Sequence, residues 1–192
     1  MSGAVPTAVP PTEAVLDDAT LVARARDGDV RAFEQLVRRY QRHIYQLALR
    51  MTASRADAED VTQEVFLTVW RRLPELRDDA AVVGWLYRTA TNRCLNLLRA
   101  RKPSVEIDET ALAAERPGDD PQRGAENAAT RDALVEALTE LQPTQRAVWL
   151  LREVHGRSYE EIAALVDTTP DAVRGRLARA RVQLAERMTP WQ

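Results

Sequence analysis

The stretch "TTPDAVRGRLARARVQL" near the end of this 192-residue sequence places several arginines on one predicted helix. At about 100° per residue, the apolar residues of this helix fall on one side, which is expected to pack inward. These residues are Val173, Leu177, Ala180 and Leu184. The rest of the helix surface therefore carries the arginines, whose guanidinium groups can bind phosphates and guanine edges.

Small residues lie at the centre of that basic surface. Gly175 and Ala178 point away from the apolar side, with Arg174 on one flank and Arg179 on the other. Small side chains let a helix enter the major groove closely, while arginines on its flanks reach the DNA backbone or base edges. The pattern predicts a DNA-binding helix.

The segment before this helix has the features of a second short helix and a turn. Ser158 and Glu161 form an S-x-x-E capping box at its start, and "VDTT" interrupts it. Thr169 is then a good N-cap, and Pro170 suits the first helical position. Two short helices joined by a turn, with the small Ala163 at their close approach, predict a helix-turn-helix.

A second basic surface is predicted on the stretch "GWLYRTATNRCLNLLRARK". One narrow stripe at helical spacing combines a ring, two amides and two guanidinium groups: Trp85, Arg88, Asn92, Asn96 and Arg99. Rings stack on exposed bases, amides read base edges and arginines hold phosphates. The residues alone leave two interpretations open, a nucleic-acid surface or an ordinary basic face with Trp85 at the edge of the core.

The helix predicted over "ADAEDVTQEVFLTVWRRL" is acidic in its first half. Ser54 is a good N-cap for it, and Pro74 is expected to end it. Its acidic residues are Asp57, Glu59, Asp60 and Glu64. Because these carboxylates also favour the positive end of the helix dipole, the pattern fits a solvated face as well as a docking surface.

Several other function classes lack support in the sequence. No apolar run approaches the roughly 20 residues that span a bilayer, and the N-terminus lacks the features of a secretory signal. Cys94 is the only cysteine, and His43 and His155 lie in separate segments without metal-ligand spacing. No phosphate-binding loop or catalytic motif is found. We therefore expect a cytoplasmic protein with no enzymatic activity, cofactor, metal or membrane insertion.

The whole chain is predicted to be all-α, with two small helical domains joined by a flexible acidic linker. The stretch over 102–129 has three prolines and seven acids against three bases, without a sustained hydrophobic period. We predict four parts: a disordered tail over 1–18, a helical domain over 19–102, the linker over 103–129 and a helix-turn-helix domain over 130–189. The net charge of −2 is therefore a poor guide to binding, because acidic residues and arginines are concentrated in different parts of the chain.

Five motifs, in this order, resemble the extracytoplasmic-function (ECF) group of bacterial sigma factors in the sigma-70 family. They are "DGDVRAFEQLVRRYQRHIYQLALRMT", "DAEDVTQEVFLTVWRRL", "GWLYRTATNRCLNLLRARK", "LQPTQRAVWLLREVHGRSYEEIAALV" and "TTPDAVRGRLARAR". Together they cover nearly everything from Ala19 to Met188 except the linker. The resemblance implies that the first domain is a sigma-2 bundle of three or four helices and that the second is a sigma-4 helix-turn-helix domain.

The resemblance also implies a function, which is to bind core RNA polymerase and direct it to promoter DNA. It implies contacts with the β′ clamp helices and the β flap, and the clamp-helix residues would be Asp57, Glu59, Asp60, Gln63, Glu64 and Phe66. The −10 element would be bound and opened by Trp85, Arg88, Asn92, Asn96 and Arg99. The −35 element would be read by Arg174, Gly175, Ala178 and Arg179, with Arg176 and Arg181 near phosphates. An anti-sigma factor is expected to hold the free, monomeric protein inactive.

Two positions depart from the family pattern. Many relatives have an aromatic residue where this chain has Leu76, and a threonine where it has Gly84. Since this loop forms the base pocket in the family, the resemblance does not fix which −10 base is bound. Gly175 and Ala178 offer few hydrogen-bonding groups, so part of the −35 sequence is expected to be read through DNA shape.

Two other functions remain possible at this point. A stand-alone helix-turn-helix regulator would bind duplex DNA as a dimer on a palindrome, with the first domain for dimerisation or sensing. An adaptor would bind a protein partner through the first domain and carry a degenerate helix-turn-helix. A sigma factor differs from both because it needs polymerase to bind its DNA.

Overall fold

The computed structural model of the chain describes residues 16–101 and 133–188. Their regular secondary structure is helical, so the predicted all-α fold class is confirmed. The predicted tail lies outside the described residues up to residue 15, and the predicted linker over 103–129 lies outside them entirely. Within the described ranges, no helix is long and apolar enough to cross a membrane.

The first block, residues 16–101, is built from four α-helices. These are α1 (Asp18–Arg26), α2 (Val30–Thr52), α3 (Arg55–Arg72) and α4 (Val82–Ala100). Two short 3-10 turns, Leu73–Glu75 and Asp79–Ala81, connect α3 to α4. The long helix α2 contacts each of the other three helices and so forms the centre of the block.

Side-chain caps set the starts of the first three helices. Asp17 accepts a hydrogen bond from the Thr20 amide, and Asp29 caps α2 in the same way. Ser54 accepts from the Asp57 amide, which confirms its predicted role as the N-cap of α3. Between α2 and α3, Ala53 adopts a left-handed backbone conformation with φ of 53°, which ends α2 and turns the chain.

The core of the first block lies along one side of α2. Ile44, Leu47, Ala48 and Met51 are fully buried there. Across from them, α3 and α4 supply buried apolar residues, among them Val61, Val65, Leu86, Ala90 and Cys94. The apolar face of α2 is thus fully covered at its C-terminal half, whereas Phe33, Val37 and Tyr40 nearer its start are only half-buried.

The second block, residues 133–188, is a compact set of shorter helices. They are α5 (133–140), α6 (Pro143–Trp149), α7 (Tyr159–Leu165) and α8 (Pro170–Met188). After Trp149 the α6 helix continues as a π-helical turn over Leu150–Val154 and then stops at His155 and Gly156. A helix-turn-helix is formed by α7 and α8, as predicted, since the two pack on each other.

Local signals in the sequence correctly locate this helix-turn-helix. The capping box of Ser158 and Glu161 is complete, with the carboxylate accepting the Ser158 amide at 2.7 Å and the Ser158 hydroxyl accepting the Glu161 amide at 3.1 Å. Thr169 accepts a hydrogen bond from the Ala172 amide at 3.2 Å, and Pro170 is the first residue of α8. These predictions are confirmed because they depend on contacts within four residues.

The two blocks are in contact. Helix α4 of the first block touches α6 and α7 of the second. Arg146 of α6 is only 5 % exposed and donates a hydrogen bond to the Met51 carbonyl at the end of α2. The sequence predicted two domains on a flexible tether and did not predict this packing.

Candidate functional site

The outward face of α8 carries the predicted DNA-reading residues. Val173, Leu177, Ala180 and Leu184 are buried, which confirms the predicted orientation of the helix. Arg174, Ala178, Arg179 and Arg181 are exposed, and Gly175 and Arg176 are half-buried. Because the apolar side faces α6 and α7, the arginines project away from the block, where a DNA duplex can approach.

Short-range contacts hold several of these arginines in place. Arg174 forms an ion pair with Asp171, and its guanidinium lies 5.5 Å from the Tyr159 ring centroid, within cation–π range. Arg181 donates to the Glu153 carboxylate at 2.6 Å. That carboxylate raises the pKa of Arg181 above its usual value.

Gly175 is not required for packing within the described chain. A Cβ added there would meet only the Arg179 guanidinium, with its nearest nitrogen at 3.6 Å. That distance is ordinary van der Waals contact. The fold itself therefore tolerates alanine at this position, and a requirement for glycine would come from a molecule that approaches the helix.

The predicted stripe on α4 lies on the opposite side from the core. Arg88, Asn92, Asn96 and Arg99 are exposed, whereas Trp85 is half-buried. Arg99 donates a hydrogen bond to the Asn96 side chain at 2.7 Å, so two members of the stripe orient each other. The buried face of α4 includes Cys94, whose thiol pKa is raised to about 12 by burial. This thiol faces the core.

A cleft of about 530 Å³ opens at the N-terminal end of the stripe. Trp85 and Arg88 line one side, together with Gly84 at the start of α4 and Leu76 in the preceding loop. Glu161 and Leu165 of α7 are among the residues that line the other side. The cleft thus lies between the stripe and the first helix of the helix-turn-helix.

The acidic residues of α3 divide into two groups. Asp57 and Glu64 are half-buried and form ion pairs with Arg101 and Arg93, so they tie α3 to the C-terminal half of α4. Glu59, Asp60 and Gln63 are exposed, and Phe66 is buried. The six residues predicted to bind the clamp helices therefore lie close together on α3, but only Glu59, Asp60 and Gln63 among them are exposed.

An open apolar groove of about 770 Å³ runs between α2 and α3. Phe33 and Trp70 face each other across it with ring centroids 4.7 Å apart. Val30, Leu67 and Trp70 remain exposed at 56 %, 45 % and 37 %. Three of the predicted residues on α3 line this groove: Glu59, Gln63 and Phe66. An exposed apolar surface of this kind marks an interaction site.

The sequence singled out residues of α3 as a docking surface but did not single out the α2 side of this groove. Phe33, Val37 and Tyr40 recur at helical spacing with the buried residues of α2, and such periodicity shows that residues share a face and not what covers that face. The usable signal was the length of this apolar face, which begins at Phe33 and exceeds what α3 and α4 cover.

The seam between the blocks has its own cluster of side chains. The Tyr87 hydroxyl lies 3.2 Å from Nδ1 of His155, and the two rings meet edge to face at 5.2 Å. Arg157 lies over the Tyr87 ring at 4.3 Å from its centroid. Burial lowers the pKa of His155 to about 4, with further contributions from the positive charges of Arg50, His43 and Arg157. We call Tyr87, His155 and Arg157 the Tyr87 clasp.

Comparisons with known proteins match both blocks. The family described as Sigma-70 region 2 matches residues 36–103, and the family described as Sigma-70, region 4 matches residues 131–184. The ECF RNA polymerase sigma-E factor of Escherichia coli (strain K12) is 36 % identical over 186 residues, which cover 91 % of this chain and 96 % of the relative. The RNA polymerase sigma-H factor of Pseudomonas aeruginosa is 34 % identical over 183 residues, or 90 % and 94 % of the two chains.

Solved structures with the same fold include two complexes. CnrH, solved in complex with the cytosolic domain of CnrY, is 28 % identical with a TM-score of 0.67, over 88 % of this chain and 95 % of that chain. The sigma factor RpoE of Bartonella quintana, solved with the anti-sigma factor NepR, shares the fold at a TM-score of 0.64 and 20 % identity, over 81 % and 96 % of the two chains.

Proposed function

This chain belongs to the extracytoplasmic-function sigma factors of the sigma-70 family, and we propose that three of its surfaces divide the steps of promoter-directed initiation. As a member of the family it binds core RNA polymerase and directs it to promoter DNA to start transcription. The three surfaces are the outward face of α8, the stripe on α4 and the groove between α2 and α3. A stand-alone regulator is not favoured, because one chain carries both sigma regions.

The outward face of α8 is proposed to read the −35 element. Arg174 and Arg179 flank the small residues Gly175 and Ala178, which allow the helix to approach the major groove closely. Arg176 and the Glu153-bound Arg181 are proposed to lie near phosphates. Since the centre of the face has few hydrogen-bonding groups, DNA shape would carry part of the specificity.

The stripe on α4 is proposed to bind and open the −10 element. Separating base pairs costs about 1.4 kcal/mol of stacking per step. Stacking an unpaired base on an aromatic ring returns about 1–3 kcal/mol. Trp85 is the ring at the cleft, and the exposed amides and arginines of the stripe follow along the helix. Leu76 and Gly84 in the lining would shape a pocket for one flipped base.

The groove between α2 and α3 is proposed to receive the β′ clamp helices of polymerase. Its apolar floor and its acidic and amide rim suit a helix laid into a groove. Glu59, Asp60 and Gln63 are exposed and available to a partner, and Phe66 forms part of the floor. Asp57 and Glu64 are proposed to contribute to docking indirectly. Their ion pairs with Arg101 and Arg93 hold α3 in place for the residues that contact the partner.

The domain boundaries are proposed as 19–102 for sigma-2 and 130–189 for sigma-4, and the family matches over 36–103 and 131–184 support the division into two domains. The acidic stretch over 103–129 is proposed to run through the RNA exit path of polymerase, where its charge mimics nucleic acid, near the β flap. Two small DNA-binding domains on one tether bind weakly alone and gain effective concentration when both are mounted on polymerase.

We also propose how the protein is controlled and where it acts. The relative CnrH is bound by the cytosolic domain of another protein, and a partner of anti-sigma type is proposed to hold this chain inactive. Because its partners are polymerase and promoter DNA, we propose that it acts in the cytoplasm. The free protein is proposed to be a monomer. It is proposed to supply no catalysis of its own, since polymerase makes the RNA.

One observation carries the proposal: two exposed basic surfaces lie on separate blocks of one chain, and an exposed apolar groove lies beside one of them. The −35 assignment can be tested with the double variant Arg174→Ala/Arg179→Ala in promoter-dependent transcription with core polymerase. Each lost contact is worth about 1–3 kcal/mol, so we expect initiation to fall by at least roughly tenfold.

A matched control removes the same charge elsewhere. Arg31→Ala/Arg38→Ala changes two exposed arginines of α2, and it should leave transcription close to wild type. If the α8 double variant and this control behave alike, the −35 assignment is wrong.

A further inference from the structure

The arginines of α8 differ in how their charge is balanced. The helix carries five arginines. In the described part of the chain, three of them pair with carboxylates: Arg174, Arg181 and Arg187. Arg176 and Arg179 form no ion pair within the same residue ranges. The net positive charge that α8 offers to DNA therefore comes mainly from these last two side chains.

The ion pair between Glu153 and Arg181 joins two separate elements. Glu153 lies in the π-helical turn after α6, 28 positions before its partner. Nε and Nη2 of Arg181 donate to the same carboxylate oxygen, at 3.2 and 2.6 Å. Asp171, by contrast, pairs with Arg174 within one turn of α8. The tertiary fold, and not α8 alone, therefore places the Glu153 carboxylate beside the proposed reading face.

This carboxylate matters more for DNA binding than for folding. Both side chains of the pair are exposed, and exposed ion pairs contribute little to stability. Glu153 nevertheless lies beside an arginine that is proposed to approach phosphates. A negative charge at that place opposes the approach of any DNA backbone.

Arg181 keeps much of its hydrogen-bonding capacity while its charge is neutralised. A guanidinium has five N–H donors, and the contacts with Glu153 occupy two of them. The remaining donors lie on an oriented group and can reach a phosphate oxygen at one register of the duplex. Non-specific affinity depends instead on net positive charge, through the release of counterions. The pair therefore weakens attraction to arbitrary DNA more than it weakens a correctly placed contact.

We propose that Glu153 is a specificity-determining residue, which neutralises Arg181 so that α8 binds arbitrary duplex DNA less tightly and discriminates the −35 element more strongly. The inference rests on the proposed function of α8. A genome offers very many competing sites, so the ratio of specific to non-specific affinity decides whether a promoter is occupied. A carboxylate that lowers the non-specific affinity more than the specific one raises this ratio.

The proposal can be tested by removing the charge and keeping the shape. Glu153→Gln retains an oxygen that can accept from Arg181. Glu34→Gln is the matched control, because Glu34 is exposed on α2 and both substitutions make the net charge of −2 less negative by one unit. Fluorescence anisotropy of the free full-length chain measures its affinity for a duplex without promoter elements, from about 50 to 200 mM salt. The holoenzyme is measured on a promoter with an intact −35 element and on one with a scrambled −35 element.

We expect free Glu153→Gln to bind the duplex without promoter elements about fivefold more tightly than wild type at the lowest salt. The slope of log affinity against log salt should steepen by about one, because one more arginine releases a counterion. The holoenzyme with Glu153→Gln should discriminate between the two promoters by a smaller factor than wild type, because its affinity for the scrambled promoter rises more. Glu34→Gln should match wild type in each measurement.

Equal salt slopes for Glu153→Gln and Glu34→Gln would overturn the proposal. A parallel loss of affinity for all three DNAs, with helix content unchanged by circular dichroism, would also overturn it, since Glu153 would then only hold α8 in position. A failure of the proposed function would look different. In that case the wild-type holoenzyme would bind the intact and scrambled promoters equally well, whatever the salt slopes of the variants.

Discussion

Folding and DNA binding place different requirements on the residue at position 175, which is glycine. Glycine inside a helix costs roughly 0.5–1 kcal/mol relative to alanine, and no packing contact in the described chain requires it here. We therefore expect Gly175→Ala to raise the free energy of unfolding by about that amount in chemical denaturation. The added methyl group should lower −35-dependent transcription, because it lies between the helix and the groove.

A substitution in another helix serves as the control for this prediction. Ala23→Gly, inside α1 and half-buried, reverses the change in helix propensity far from the proposed reading face. It should lower stability while leaving −35 recognition unchanged. If Gly175→Ala left transcription at the wild-type level, close approach of α8 to DNA at this residue would be contradicted.

His155 gives the seam a defined pH dependence. Its pKa is lowered from 6.5 to about 4 by burial and by the positive charges of Arg50, His43 and Arg157, with the Tyr87 hydroxyl as its polar neighbour. The neutral imidazole is therefore favoured in the packed state. The contribution of neutral His155 to the stability of the folded chain is fully present above pH 6.5 and is lost as the pH falls from 6.5 toward 4.

The measurement for this prediction compares wild type with His155→Gln across that pH window. The free energy of unfolding of the wild-type chain should fall between pH 7.5 and pH 5, because His155 binds a proton more readily once it leaves its buried position. His155→Gln cannot be protonated and should show a smaller decrease. An identical pH response in both proteins would assign the change to other groups.

At the scale of the helices, the sequence predicted those features that depend on near neighbours. Ser54, the pair Ser158 and Glu161, and Thr169 were all correctly assigned as caps, since each cap spans about three residues. The inward side of α8 was also correct, because a 3.6-residue period places Val173 and its partners on one face.

Features that depend on distant residues were not predictable in the same way. The contact of Tyr87 with His155 joins residues from two blocks, and no local pattern indicates it. Arg146 is buried against the end of α2, and no local pattern indicates this contact either. The π-helical turn after Trp149 also lacks a signal such as a proline or glycine within it.

Helices α2 and α3 form the groove together, and its apolar surface can be tested by adding a charge. Leu67→Glu places a carboxylate at a residue that is 45 % exposed in the groove, so it should change the stability of the free protein by less than about 0.5 kcal/mol. It should weaken binding to core polymerase by at least roughly tenfold, because a charge would be buried on docking. Fluorescence anisotropy with labelled protein measures that affinity.

The control makes the same chemical change outside the groove. Val154 is 40 % exposed on the second block, and Val154→Glu should leave polymerase affinity within about twofold of wild type. Equal losses for the two variants would mean that the groove has no special role in docking.

At the scale of the whole molecule, the distribution of charge explains how an acidic protein binds DNA. The chain has 29 acidic and 27 basic residues and a net charge of −2. Acids are concentrated on α3 and over 103–129, whereas the outward face of α8 and the stripe on α4 carry arginines. Local charge therefore determines which partner each surface attracts.

The same distribution of charge explains why DNA binding by this protein depends on polymerase. The free protein carries its two basic surfaces on separate blocks, and each is expected to bind DNA weakly alone. Docking through the α2–α3 groove would hold the stripe near the −10 element and α8 near the −35 element. Binding to polymerase is therefore expected to precede DNA recognition.

The most direct measurement is size-exclusion chromatography of the full-length chain with bacterial core RNA polymerase, at moderate salt and without DNA. We expect a stable complex of one chain per core enzyme, and we expect the free chain to bind promoter duplex weakly. Leu67→Glu should elute apart from the core enzyme, whereas Val154→Glu should remain in the complex. A wild-type chain that elutes apart from polymerase yet binds duplex DNA tightly by itself would contradict the proposal that this protein reaches promoters through polymerase.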